Sequence, residues 1–78
     1  MNAAKAFGLV LRKRRIEASL TQEALCFDAD LRRTYISILE LGEQQPSLTT
    51  IFKLAKALKC PAHELIAEVE AILTIEKS

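Results

Sequence analysis

Residues 31–42 read LRRTYISILELG: Arg32, Arg33, Thr34 and Tyr35 come first, apolar Ile36 and Leu39 follow, and Glu40 and Gly42 close the run. Guanidinium and hydroxyl groups gathered at one end of a segment can hydrogen-bond to anions and polar edges. Two descriptions fit. The run is an ordinary amphipathic helix, or one that turns its polar first residues outward to read another molecule. No catalytic constellation accompanies it. The chain has a single histidine, His63, at a helix start, and no nucleophile motif, paired-carboxylate pocket or glycine-rich phosphate loop, so an enzyme is not expected. Cys26 and Cys60 lack metal-ligand spacing, and one histidine cannot complete a zinc site, so neither metal nor cofactor is expected.

The two cysteines are read as reduced, space-filling thiols of a cytoplasmic protein, because no signal peptide is recognised. No apolar run approaches membrane-spanning length. Nothing points to a small-molecule effector. With 78 residues, a single domain is expected over residues 1–78. Half the residues are hydrophobic, while a domain this size buries roughly 60% of its unfolded surface. An oligomer is therefore expected to hide the surplus. Charge is uneven along the chain. Residues 1–20 carry Lys5, Arg12, Lys13, Arg14 and Arg15 against Glu17, and residues 60–78 carry Glu64, Glu68, Glu70 and Glu76 against Lys77. A basic beginning and an acidic end suggest one face toward an anion and another turned away. The cations Arg12–Arg15 occupy consecutive helical positions and point around most of the helix, so the expectation is a solvated face with one structural arginine.

The elements that must position these groups are helical throughout, because period-two alternation is absent. Five helices are expected. The first runs from about residue 3 to 18, with Phe7, Leu11 and the stem of Arg15 on one side. Thr21 caps a second, whose inner face is Leu25, Cys26 and Ala29 and which stops near Asp28–Asp30. The third runs from about 32 to 41, with Gly42 as its left-handed terminator. Ser47 caps a fourth over 48–58, with Leu48, Ile51, Leu54, Ala55 and Leu58 inward. Pro61 opens a fifth over about 62–75. Residues 22–41 are then two short helices joined by a tight turn. This is helix-turn-helix geometry, in which the second helix enters the major groove of DNA.

The stretch LTQEALCFDADLRRTYISILELGEQQPSLTTIFKLAKAL resembles the Cro/cI-type helix-turn-helix domain, also called the XRE family, of phage repressors and many bacterial regulators. TQEALC, RTYISILELG and PSLTTIFKLAKAL fall at the family's mutual distances, and the likeness covers roughly residues 7–66. It implies an all-α, compact five-helix phage-repressor-like bundle and a sequence-specific transcriptional regulator that binds double-stranded DNA as a homodimer on a palindromic operator. It points to Gln22 at the start of helix two as a phosphate contact, to Arg33 and Thr34 as base contacts, and to Ser37 as a backbone contact. Arg32, at the N-cap position where it cannot cap, is expected to reach phosphate or base. Tyr35 either bonds a phosphate or packs beside the end of helix one. The family often pairs a late helix-one arginine with a glutamate ending helix three, here Arg15 and Glu40.

Departures from the family pattern carry their own expectations. Ser19, Asp30 and Lys59 stand where glycine is common, so each is expected in a left-handed conformation or an altered turn. Ile38 and Leu41 occupy positions often polar or basic, and Gln44 and Gln45 replace a basic loop. Phosphate attraction is weakened accordingly, and Ile38 is available to thymine methyls. Ile66, Val69, Ile72 and Leu73 continue the apolar stripe past the usual fold, and Phe52 on helix four reads as half-exposed in a monomer; these residues are expected to form the dimer interface, with Glu64, Glu68, Glu70 and Glu76 on its rim. The RTYIS run and the short chain are also similar to the small controller proteins of restriction–modification systems. An antitoxin and a protein-interaction module on the same fold are the alternative functions.

Overall fold

Helix starts follow the side chains able to cap them. Asn2 accepts the Lys5 N–H at 2.9 Å, Thr21 that of Ala24 at 3.0 Å and Ser47 that of Thr50 at 3.1 Å. The computed structural model describes residues 1–77, with side chains through Ile75. It contains α1 (Ala3–Glu17), α2 (Gln22–Ala29), α3 (Arg33–Glu40), α4 (Leu48–Ala57) and α5 (Ala62–Lys77), and no strand among the described residues. The expected all-α, five-helix architecture is the observed one, with helix ends differing by one or two residues.

Three helices end through a left-handed residue that is not glycine. Ser19, Asp30 and Lys59 have φ of 59°, 55° and 58°. The positions where glycine was missing therefore keep the backbone geometry glycine would serve. Gly42 ends α3 at φ 74°, and a Cβ there would also stand 2.7 Å from Lys5 Cα. Gly8 has a different reason, unforeseen from sequence: a Cβ on it would meet the Leu39 and Glu40 carbonyl oxygens at 2.5 and 2.6 Å. Glycine at both points lets α1 lie against the end of α3.

The core is shared by all five helices: Phe7, Val10, Leu11, Leu25, Ile36, Leu39, Leu54, Leu65 and Val69 are buried. Leu48 does not belong to it. As the first residue of α4 it is 69% exposed, because the capping turn holds it outside the packed stripe. Val69, expected on the dimer surface, lies in the core at 8% exposure, while Ile72 and Leu73 are half-buried against it. The turn of α5 bearing Val69 thus completes the chain's own interior.

Charges also pair differently from the expectation. α1 packs on α5, and this brings the basic run onto the acidic helix. Lys13 binds Glu68 at 2.9 Å, and Arg14 binds both Glu68 and Glu64. Three of the four consecutive cations have carboxylate partners, rather than one. Glu64 and Glu68 are engaged by α1 of the same chain. Glu70 is exposed, and the side chain of Glu76 lies outside the described residues. Partial burial by itself would push the Glu68 carboxyl up, but hydrogen bonds from Lys13 and Arg14 outweigh it and hold the group below its ordinary value.

The Arg15–Glu40 pair joins the end of α1 to the end of α3. Arg15 Nε donates to Glu40 Oε2 at 2.6 Å and Nη2 to Oε1 at 3.1 Å, while Nη1 donates to the Leu20 carbonyl at 2.9 Å. Both side chains are well shielded, at 13% and 5% exposure. The hydrogen bond to Glu40, opposed by burial, raises the Arg15 pKa above its ordinary value, so the guanidinium stays charged.

Two stability predictions arise from this arrangement. Glu40→Ala leaves a shielded guanidinium without its carboxylate, and the expected loss is about 3 kcal/mol, against at most about 1 kcal/mol for a solvated pair. Urea unfolding distinguishes the two values. Lys59→Gly relieves a left-handed lysine at an exposed turn. It should stabilise by about 0.5–1 kcal/mol after glycine's greater chain entropy is deducted, seen as a rise of a few degrees in a thermal melt.

Candidate nucleic-acid interface

α3 is amphipathic in a way that separates its two ends. Ile36 and Leu39 are fully buried, whereas Arg32, Arg33 and Thr34 are exposed. Arg32 caps α3 by backbone position alone, with no side-chain bond to the first turn. Neither arginine has an ion-pair partner among the described residues. Two guanidinium groups and a hydroxyl thus project from one helical turn whose inner side is anchored. Ser37 and Ile38 follow as half-buried residues. Such a turn can present bidentate donors to a planar acceptor pair, or single donors to an anion.

Gln22 begins α2, where the Gln22 and Glu23 N–H groups precede the first intrahelical hydrogen bond. Its side chain is not free-standing. The carboxamide Nε2 donates to Glu40 Oε1 at 3.1 Å, joining the start of α2 to the end of α3. Tyr35 is half-buried against the core, and its hydroxyl lies 3.4 Å from Thr50 Oγ1. Thr50 in turn accepts from the Ser47 hydroxyl at 3.0 Å, so α3 is tied by side chains to the capping turn of α4. The tyrosine therefore packs toward α4. Sequence gave no signal for the Gln22–Glu40 or Tyr35–Thr50 bonds. Each joins residues 15 or more positions apart whose relative placement depends on helix crossing.

Of the residues expected at a dimer interface, two are exposed. Phe52 and Ile66 are 58% and 46% exposed. Ile66 borders an open groove of about 140 Å³ lined also by Ala3, Phe7, Ile51 and Val69. Cys26 and Cys60 are unbridged. The Cys26 thiol donates to the Glu23 carbonyl at 3.0 Å, and burial pushes the Cys60 thiol up. No group of metal-ligating side chains occurs among the described residues, and none of their helices is long and apolar enough to cross a membrane.

With this geometry in place, comparison with known proteins identifies the architecture. A helix-turn-helix family model matches residues 11–65. Control protein C.BamHI of Bacillus amyloliquefaciens is 43% identical over 61 residues, covering 77% of this chain and 75% of that protein. Control protein C.MunI of a Mycoplasma species is 37% identical over 65 residues, covering 82% and 88%. Among solved structures, the restriction–modification controller protein C.AhdI from Aeromonas hydrophila superposes with a TM-score of 0.78 at 40% identity, over 80% of this chain and 94% of that one. The clp gene regulator ClgR from Corynebacterium glutamicum shares the fold, with a TM-score of 0.91 at 21% identity, over 99% of this chain and 82% of the other. The matched residues span the capped α2, the exposed first turn of α3 and the Arg15–Glu40 pair, and the chain belongs to the helix-turn-helix family of DNA-binding transcriptional regulators, of the Cro/cI or XRE type.

Proposed function

We propose that the protein is a cytoplasmic controller-type regulator that binds a palindromic DNA operator as a homodimer, with α3 as its reading helix. The observation that carries this is the exposed and unpaired Arg33, beside Thr34, on a helix anchored by the fully buried Ile36 and Leu39. An arginine so placed is free to meet guanine O6 and N7 in the major groove, and Thr34 to meet a neighbouring base. Arg32 and Ser37 serve the phosphates on either side, and the N–H groups opening α2 donate to another. Ile38 lies along the same helix, where an apolar side chain suits a thymine methyl. Similarity to control proteins C.BamHI and C.MunI and to the controller C.AhdI supports a role in a restriction–modification system.

The dimer surface is narrower than the sequence stripe. Phe52 and Ile66 are its exposed members, Ile72 and Leu73 its half-buried flank, and Val69 supports it from within the core. In a two-fold dimer this patch faces its own copy, and the two reading helices stand about 34–36 Å apart to enter successive major grooves.

Two measurements test the reading. On an operator selected from random duplex DNA, Arg33→Ala is expected to cost about 1–3 kcal/mol of binding and relax preference at one base pair of each half-site. Equal weakening on operator and scrambled duplex at fixed salt would make Arg33 a phosphate contact instead. For assembly, sedimentation at micromolar concentration should give a dimer, and Ile66→Asp a folded monomer. Val69→Asp is unsuited to this purpose because it would disrupt the core. A wild-type monomer at that concentration would remove the dimer from the proposal.

A further inference from the structure

We infer that Gln22 is a positioning residue for the reading helix: its carboxamide, bonded to Glu40, ties the orientation of α3 to the grip on phosphate at the start of α2. The inference rests on the operator-binding reading above and deepens it.

Glu40 is the last residue of α3 and only 5% of its side chain is exposed. Its carboxylate receives three side-chain N–H groups, two from Arg15 and one from Gln22. Arg15 belongs to α1, so the bond from Gln22 is the one side-chain hydrogen bond between α2 and α3 among the described residues. It is also the one that begins where the N–H groups of a helix start are unsatisfied. A phosphate drawn to the Gln22 and Glu23 N–H groups therefore bears on a residue whose other end holds α3.

The position of α3 is sensitive to such a hold. Ile36 is fully buried and acts as the fulcrum. At the helical rise per residue, Arg33 lies about 4.5 Å to one side of it along the axis and Glu40 about 6 Å to the other. A tilt that moves Glu40 moves Arg33 by a comparable amount in the opposite sense. Bidentate contact with a base edge depends on that placement, whereas single phosphate contacts tolerate displacement more easily. Loss of the Gln22 bond should then reduce discrimination between sequences, beyond any general weakening. The fold should survive, because Glu40 keeps both bonds from Arg15. Gln22 is uncharged, so its removal releases no counterion and should leave the salt dependence of binding unchanged.

The test uses the full chain and Gln22→Met, which keeps side-chain length and removes the amide, with Gln22→Ala as the second variant. Each is checked for an intact fold by thermal melting, then measured on the selected operator and a scrambled duplex at several salt concentrations. The expected result is a fall in the operator-to-scrambled affinity ratio of about fivefold or more, the lower range of what one bidentate contact discriminates, with an unchanged salt slope. In an Arg33→Ala background, where the arginine's base contact is already gone, the same change should lower the ratio by less. Equal weakening on both duplexes, or an undiminished effect in the Arg33→Ala background, overturns the inference and leaves Gln22 a phosphate contact alone. A wild-type chain that does not discriminate between the duplexes overturns the operator reading itself, and this inference with it.

Discussion

The placement of α3 depends on the shielded bidentate pair between Arg15 and Glu40. It joins the end of α1 to the end of α3, and its spare guanidinium N–H reaches the Leu20 carbonyl between α1 and α2. One arginine therefore fixes three segments relative to each other. A shielded ion pair adds little net stability compared with an apolar pair of the same shape. Its value here is geometric: carboxylate and guanidinium meet well in few orientations, so the angle of α3 is set together with its burial. Gln22 adds a third donor to the same carboxylate from the start of α2.

Close approach of backbones makes that pair possible. Gly8 lies under the last carbonyls of α3, and Gly42 lies over Lys5 of α1. Any Cβ at either place would collide with main chain. The other helix ends use left-handed Ser19, Asp30 and Lys59 at exposed turns. Those residues have free space for their side chains, so strain is confined to the backbone conformation. The two glycines remain where no such space exists. Their placement separates a conformational requirement, which other residues can meet at some cost, from a steric one, which only glycine meets.

Electrostatics follows from the same packing. The basic run of α1 is engaged by Glu64, Glu68 and Glu40, leaving Arg12 as its member without a carboxylate partner among the described residues. The formal charge of +1 is thus not spread as a basic face built from the N-terminal cluster. Positive charge free for an external anion includes Arg32 and Arg33 on the exposed edge of α3 and the exposed lysines of α4, Lys53 and Lys56. A few well-placed guanidinium groups favour geometric selection over general attraction to polyanions.

Local chemistry made much of this legible in the sequence. Thr21 and Ser47 cap because a hydroxyl two or three residues before a free N–H can reach it, and Gly42 terminates α3 because its φ is positive. The spacing of Leu25, Ile36, Leu39 and Leu54 marked their inner faces, and the family's arrangement of Arg15 and Glu40 indicated their partnership. Leu48 misled because apolar period alone does not register that a first helical residue stands outside the packed stripe. Val69 misled because the number of turns of α5 that the core can cover is a property of the assembled bundle. The partners of Lys13 and Arg14, the reach of Gln22 to Glu40 and of Tyr35 to Thr50, and the need for glycine at position 8 were equally invisible. Residue type and short-range spacing determine where helices start, stop and turn their apolar sides. Which polar groups meet is decided by the crossing of helices distant in sequence, because a hydrogen bond or steric contact depends on placement to within about an ångström, and no linear spacing encodes it.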